Sequence, residues 1–190
     1  SHIGNMKYAN FVHLHTHSQY SLLDGACRLD SVIELAKHLK MPALAITDHG
    51  NMFGAIEFYS KATRAGLKPI IGVEAYVAGG SRFDKKPSNK YPDGGFHMVL
   101  LVKNQTGYRN LVKLASAGFL EGFYHRPRID KEILRQYSEG LIATSACLKG
   151  EVNWNLMNGD TDAAVAAARD LNDIFGQGNF YIEIQNHGLE

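Results

Sequence analysis

The chain is poor in the features that staple, anchor or steer a protein. Only two of its 190 residues are cysteine, Cys27 and Cys147. They stand far apart and build no disulfide framework, which points to a reducing, cytoplasmic setting. No apolar run is long enough to span a bilayer. Ser1-His2-Ile3-Gly4-Asn5 lacks the basic flank and apolar stretch of a secretory signal and reads as a tag remnant ahead of Met6, so His2 is set aside. Net charge is nearly absent, with 20 Lys and Arg against 19 Asp and Glu. No global field draws in nucleic acid or a membrane surface, and any nucleic-acid affinity has to come from a local patch.

What remains is an ordinary globular composition, 45% hydrophobic and 21% charged, in a length that suits one domain with a substantial core. No low-complexity tract or linker divides residues 6–190, which are read as a single domain. The alternating apolar segment at 180–185 stands close to the end of the chain, and the sequence is expected to be a piece of a longer polypeptide.

Histidine is the residue that stands out. His15 and His17 form a His-x-His pair after Phe11-Val12-His13-Leu14. On an extended strand alternate side chains share a face, so two imidazoles project together. Asp24, Asp48-His49, Glu74, His97 and Cys147 follow, several at the ends of apolar runs.

Strand and helix patterns alternate. Strands are expected at 11–15, 43–47, 69–77, 98–102, 141–144 and 180–184. One helix is expected from an Asp30 cap through Val32, Ile33, Ala36 and Leu39. A second carries Phe53, Ile56, Tyr59 and Ala62 on one face, and a third Tyr108, Leu111, Val112, Ala115 and Phe119. Helices at 130–137 and 163–175 complete the set, the last capped by Thr161 or Asp162. This β-then-α order predicts an α/β fold with a parallel sheet, open or closed into a barrel, and functional groups at the C-terminal ends of its strands. His15, His49 and Cys147 fit that rule. Glu74 lies inside its strand and His97 ahead of its own.

Imidazole, carboxylate and thiolate together suit zinc, manganese or iron better than magnesium or calcium. Seven candidate ligands exceed one tetrahedral site and suit two or three ions, with a carboxylate such as Glu74 bridging. Such a cluster stabilises a phosphoryl transition state and brings the pKa of a bound water to about 7. Taken singly, most of these residues have plainer readings. Asp24 in Leu-Leu-Asp-Gly suits a turn, Cys147 a small buried apolar position, and Asp48 a helix cap. His38 and His125 read as surface or core residues, and His13 as a neighbour of the pair.

Longer stretches carry a resemblance. His-Leu-His-Thr-His-Ser at 13–18, Ser-Leu-Leu-Asp-Gly at 21–25, Thr-Asp-His-Gly-Asn at 47–51, Gly-Val-Glu-Ala-Tyr at 72–76, Phe-His-Met at 96–98, Pro-Arg-Ile-Asp at 127–130 and Thr-Ser-Ala-Cys at 144–147 resemble the polymerase-and-histidinol-phosphatase (PHP) domain. Residues 22–26, 55–59 and 182–188 narrow the likeness to the branch found in alpha subunits of bacterial replicative DNA polymerases. The resemblance implies a distorted (βα)7 barrel. It also implies a trinuclear divalent-metal site held by His15, His17, Asp24, His49, Glu74, His97 and Cys147, with Asp48 orienting a ligand from behind. The implied activity is a metal-dependent 3′–5′ exonuclease acting on a DNA 3′ end. Implied partners are the polymerase domains of the same full-length chain and other replicase subunits. The family's late Asp-x-His pair is expected beyond Glu190, so weak metal occupancy and little nuclease activity are expected of these residues alone. A metal-binding structural platform and a free-standing phosphatase acting on a small phosphoester are the alternatives.

One basic loop completes the reading. Arg82, Lys85, Lys86 and Lys90, with Phe83 and Tyr91 for stacking, form a candidate guide for unpaired DNA. On charge alone the loop reads as a solvated surface.

Overall fold

The computed structural model describes residues 8–21 and 28–184. Its strands are β1 (Ala43–His49), β2 (Lys68–Val77), β3 (Phe96–Val102), β4 (Arg128–Ile129), β5 (Leu141–Thr144) and β6 (Phe180–Tyr181). They form one sheet in the order β1-β2-β3-β5-β6, with β4 beside β2. The helices are α1 (Leu29–His38), α2 (Ala55–Arg64), α3 (Gln105–Leu120), α4 (Lys131–Tyr137), α5 (Glu151–Met157) and α6 (Thr161–Phe175). The expected alternation holds from α1 onward, and β4 and α5 are additions to it.

The expected parallel sheet is parallel-rich, with one strand reversed. β1–β2, β2–β4 and β5–β6 are parallel, but β3 runs antiparallel to both β2 and β5. This reversal accounts for one of the two residues that broke the strand-end rule, and the length of β2 for the other. The start of an antiparallel β3 lies at the same end of the sheet as the finish of β1, β2 and β5, so His97 belongs where it is. β2 runs past the end of β1, and the register pairs His49 with Glu74 and Tyr76 with His97. Glu74 is therefore inside its strand and level with the end of its neighbour.

The two faces of the sheet differ. Alternation places Val73, Ala75, Met98, Leu100, Leu141 and Ala143 on the helix-covered face, where they join Leu111, Leu114, Leu134 and Leu171 in the main core. Leu29, Ile33, Leu44, Ile46, Phe58 and Ala62 form a second cluster beneath α1 and α2. The opposite face carries the small cluster of Ala45, Val99, Leu101 and Ala146 and then the polar residues described below. Burial of each large aliphatic side chain contributes roughly 1.5–3 kcal/mol.

Helix ends follow local chemistry, with corrections. Asn104, Asp130 and Asp160 cap α3, α4 and α6 by accepting from Gly107 N, Ile133 N and Ala163 N. The α6 cap is thus Asp160, ahead of the expected Thr161 or Asp162. Asp30 lies in the first turn of α1 and favours it through the helix dipole, while Arg28 occupies the cap position. The face expected of the second helix is right only at Ala62. Ala55, Phe58 and Ala62 are buried, whereas Phe53, Ile56 and Tyr59 are 71%, 77% and 56% exposed. Two apolar stripes share this helix, and the one with two alanines lets it lie closest to the sheet.

Residues 11–15 do not form a strand. His13 O accepts from Ala45 N and Thr16 O from Thr47 N, so the segment runs beside β1. It takes up one more residue than β1 does between those bonds, and a regular ladder is lost. The segment closes on the far edge of the sheet as well, because His15 reaches Glu183, just beyond β6. The sheet therefore curls until its two edges meet through side chains, in keeping with a distorted barrel.

Candidate metal centre

Glu74 is the hub of the polar end of the sheet. Its side chain is 2% exposed and its carboxylate meets four imidazoles. Oε2 accepts from His15 Nε2 at 2.9 Å and His17 Nε2 at 2.6 Å, and lies 3.3 Å from His49 Nδ1. Oε1 accepts from His97 Nδ1 at 2.7 Å. His49 and Glu74 come from paired positions of β1 and β2, His97 from the start of β3, and His15 and His17 from the segment flanking β1. Cys147 stands beyond β5, with Sγ 3.8 Å from His97 Nδ1. Tyr76 forms a wall, its ring 5.8 Å from that of His49 and 5.1 Å from that of His97.

Local geometry sets these positions. Gly50 follows His49 at φ +64°, a left-handed turn that L side chains rarely adopt, and a Cβ there would lie 2.8 Å from Pro127. Asp48 points away from the rings. Its buried carboxylate accepts from Ser18 N at 2.6 Å, Ser18 Oγ at 2.7 Å and Ser21 Oγ at 3.1 Å, and Ser21 Oγ accepts from His49 N. Asp48 thus ties the segment carrying His17 to the end of β1.

The charges couple strongly. Burial pushes the Glu74 carboxyl up, but hydrogen bonds from His15, His17 and His97 hold it far below the usual carboxylate range. Burial opposes a charged His15, yet its hydrogen bonds to Glu183 and Glu74 raise it to about 10. For His97 burial is likewise outweighed, by Cys147 and Glu74, and the ring rises to about 9. Burial raises the Cys147 thiol, and the contact with His97 reverses this and lowers it. Protons therefore gather among groups whose lone pairs bind cations once deprotonated. Two sets of donor atoms lie within 4.8 Å of one another: His15, His17 and Glu74, and His49, Glu74 and His97. Glu74 belongs to both, as a bridging carboxylate would.

Of the seven residues expected at the site, the fold brings His15, His17, His49, Glu74 and His97 together and sets Cys147 beside His97. Asp24 lies outside the described residues. His13 is exposed and packs on Phe11, and His38 and His125 are exposed. Glu183 was missed. It accepts from His15 Nδ1 at 2.9 Å and from Thr144 Oγ1 at 2.7 Å. Its signal was an acidic residue between Ile182 and Ile184 in an otherwise apolar run. The basic loop needs a correction. Arg82 is buried, its guanidinium 3.1 Å from both Asp130 oxygens and 2.6 Å from Glu121. It is a structural cation, whereas Lys85, Lys86 and Lys90 are exposed.

Fold and site together define an α/β domain that gathers a histidine-rich, carboxylate-centred cluster at one end of a curled sheet. The family model of the PHP domain matches residues 13–187. This chain belongs to the PHP domain family. It is 55% identical over 94% of its length to the DNA polymerase III subunit alpha of Thermus aquaticus and 49% identical over 96% to that of Borreliella burgdorferi. It spans only 15% and 16% of those proteins. Among solved structures, an amidohydrolase from Chromobacterium violaceum aligns with 85% of this chain and 49% of its own at a TM-score of 0.39 and 23% identity, too loose a likeness to bear on function. No helix among the described residues is long and apolar enough to cross a membrane.

Proposed function

We propose that this chain is the PHP domain of the alpha subunit of a bacterial replicative DNA polymerase, a cytoplasmic protein, and that it hydrolyses DNA phosphodiesters from the 3′ end. The observation that carries the reading is Glu74, a buried carboxylate shared by imidazoles from three stretches of chain. Family membership and the polymerase relatives support it. The metal ligands are His15, His17, Asp24, His49, Glu74, His97 and Cys147. The donor set fits a divalent cluster of zinc, manganese or iron: two triads share one carboxylate, and a thiol of lowered pKa stands alongside. When bound, such ions lower the pKa of water to about 7 and stabilise charge on phosphoryl oxygens.

The chain's own residues supply position. Glu74 holds two triads at a fixed spacing. Asp48, through Ser18 and Ser21, fixes the segment bearing His17 against the end of β1. Tyr76 closes one wall. Partners under this reading are a DNA 3′ end, the polymerase domains of the full-length chain and other replicase subunits.

The test is hydrolysis of a primer with a mismatched 3′ end by a polypeptide extended to the relatives' length, with and without chelator. Release of 3′ nucleotides that chelator abolishes and Mn²⁺ or Zn²⁺ restores is the expected outcome. A second reading is favoured by the way the cluster ties residues 15–17 to three strands: the metal serves as a structural clamp. Chelator would then lower the melting temperature while no nucleotide is released.

A further inference from the structure

We propose that Glu183 is a positioning residue for His15, holding one ring nitrogen so that the other is presented to the metal cluster; this rests on the metal reading above. His15 lies between two carboxylates, with Nε2 at 2.9 Å from Glu74 and Nδ1 at 2.9 Å from Glu183. The two play different parts. Glu74 belongs to both candidate ligand triads and Glu183 to neither. The oxygens of Glu183 are already engaged, Oε1 with His15 Nδ1 and Oε2 with Thr144 Oγ1 at 2.7 Å, and its backbone N donates to Ser145 Oγ at 2.9 Å. Three bonds thus tie a residue beyond β6 to His15 and to the end of β5.

An imidazole binds a metal through one nitrogen in its neutral form, and the partner of the other nitrogen decides which one is left available. A carboxylate on Nδ1 keeps the proton there and leaves the Nε2 lone pair facing Glu74. It also stops rotation of a ring that sits on a segment with no regular ladder to hold it. Thr144 is 8% exposed and donates to the far oxygen, which fixes Glu183 in turn. The chain Thr144–Glu183–His15 is therefore a relay of orientation from the rigid sheet to the irregular segment.

The experiment uses a polypeptide extended to the relatives' length, with Glu183→Ala, Glu183→Gln and Thr144→Ala. Mn²⁺ and Zn²⁺ are titrated calorimetrically, melting is followed in chelator, and the ¹⁵N signals of His15 are read in the Zn²⁺-loaded protein. Glu183→Ala is expected to weaken metal binding roughly 10–100-fold with stoichiometry unchanged, and to lose the slowly exchanging Nδ1–H. Glu183→Gln keeps an acceptor and is expected to fall between Glu183→Ala and the parent. Thr144→Ala is expected to show a smaller loss. The last two variants carry the test if Glu183→Ala does not fold. Parent-like affinity and an unchanged Nδ1–H in the variants overturn the proposal, as does loss of a whole ion from the stoichiometry, which would make Glu183 a ligand. A parent that binds neither ion overturns the metal reading itself, whereas a binding parent with indifferent variants overturns only the role of Glu183.

Discussion

Glu74 and Arg82 are each the buried hub of an ionic cluster, and the two balance charge in opposite ways. Arg82 is a permanent cation with permanent anions around it: Asp130, Glu121 at 2.6 Å and Glu132 at 3.4 Å. Asp130 also caps α4, and Arg128 donates to the carbonyls of Gly122, Arg82 and Asp84. Everything there is already paired with its complement, and such a cluster can only hold the fold together. Glu74 is one anion among four groups whose charge is conditional. Imidazoles exchange protons for metal ions near neutral pH, so this cluster can change occupant while the fold stays. Burial and short distances are common to both. The chemical type of the partners is what separates a brace from a site.

The largest effects break one cluster at a time. Glu74→Gln removes the charge shared by both triads, and metal affinity is expected to fall at least about 100-fold, since even partners behind the ligands matter 10- to 100-fold. Asp130→Ala leaves Arg82 without its one buried carboxylate partner and should lower stability by about 3–5 kcal/mol. The comparison requires calorimetric metal affinity within about twofold of the parent for Asp130→Ala. A large loss of metal affinity in Asp130→Ala would show that the two clusters act as one.

The next effect concerns pH. His15 rises from 6.5 to about 10 in the folded chain. A raised pKa means that the protonated ring stabilises the fold fully below about pH 6.5, and that this contribution is lost as pH climbs toward 10. Glu74 is lowered, so its contribution is present above the ordinary carboxylate range and fades only in acid. The chelated protein is thus expected to lose stability between pH 6.5 and 10. Metal binding needs deprotonated rings, so the gain in melting temperature on adding Zn²⁺ is expected to grow over the same interval. Melting curves at stepped pH with chelator or Zn²⁺ check both slopes, and a gain that shrinks with rising pH would contradict the exchange of protons for metal.

Much of this site was legible in the sequence because its chemistry is concentrated in short motifs. His15-x-His17 and Asp48-His49 announce donors at the ends of apolar runs, and the PHP motifs carry Glu74, His97 and Cys147 as well. The geometry was less legible, for physical reasons. Hydrophobic alternation gives no strand direction, so the antiparallel β3 and the placement of His97 followed only from hydrogen-bond registry. Apolar periodicity did not choose between the two stripes of α2, because tight approach through Ala55 and Ala62 outweighed burial of Phe53 and Tyr59. Arg82 looked like a nucleic-acid contact because its anionic partners Glu121 and Asp130 lie far away in sequence. Glu183 was overlooked because its role exists only once the two edges of the sheet meet.

The smallest expected effect sharpens the difference between Arg82 and its loop neighbours. With Arg82 committed to Asp130, the cations left to contact DNA are Lys85, Lys86 and Lys90, all exposed. The aromatic residues of the loop are engaged with protein: the Arg82 guanidinium lies 4.3 Å from the Phe83 ring centroid, and Tyr91 packs against Phe96 with ring centroids 5.9 Å apart. Replacing the three lysines by alanine is expected to move stability by no more than about 0.5 kcal/mol per site, as for surface residues generally. The salt dependence of DNA binding should stay the same as well. A cation that neutralises a phosphate contributes about 0.7 to the slope of log affinity against log salt for single strands. Three working contacts would therefore lower the slope by about 2, well outside measurement error. A drop of that size would return the loop to the role of a guide for unpaired DNA, while an unchanged slope leaves it a solvated surface.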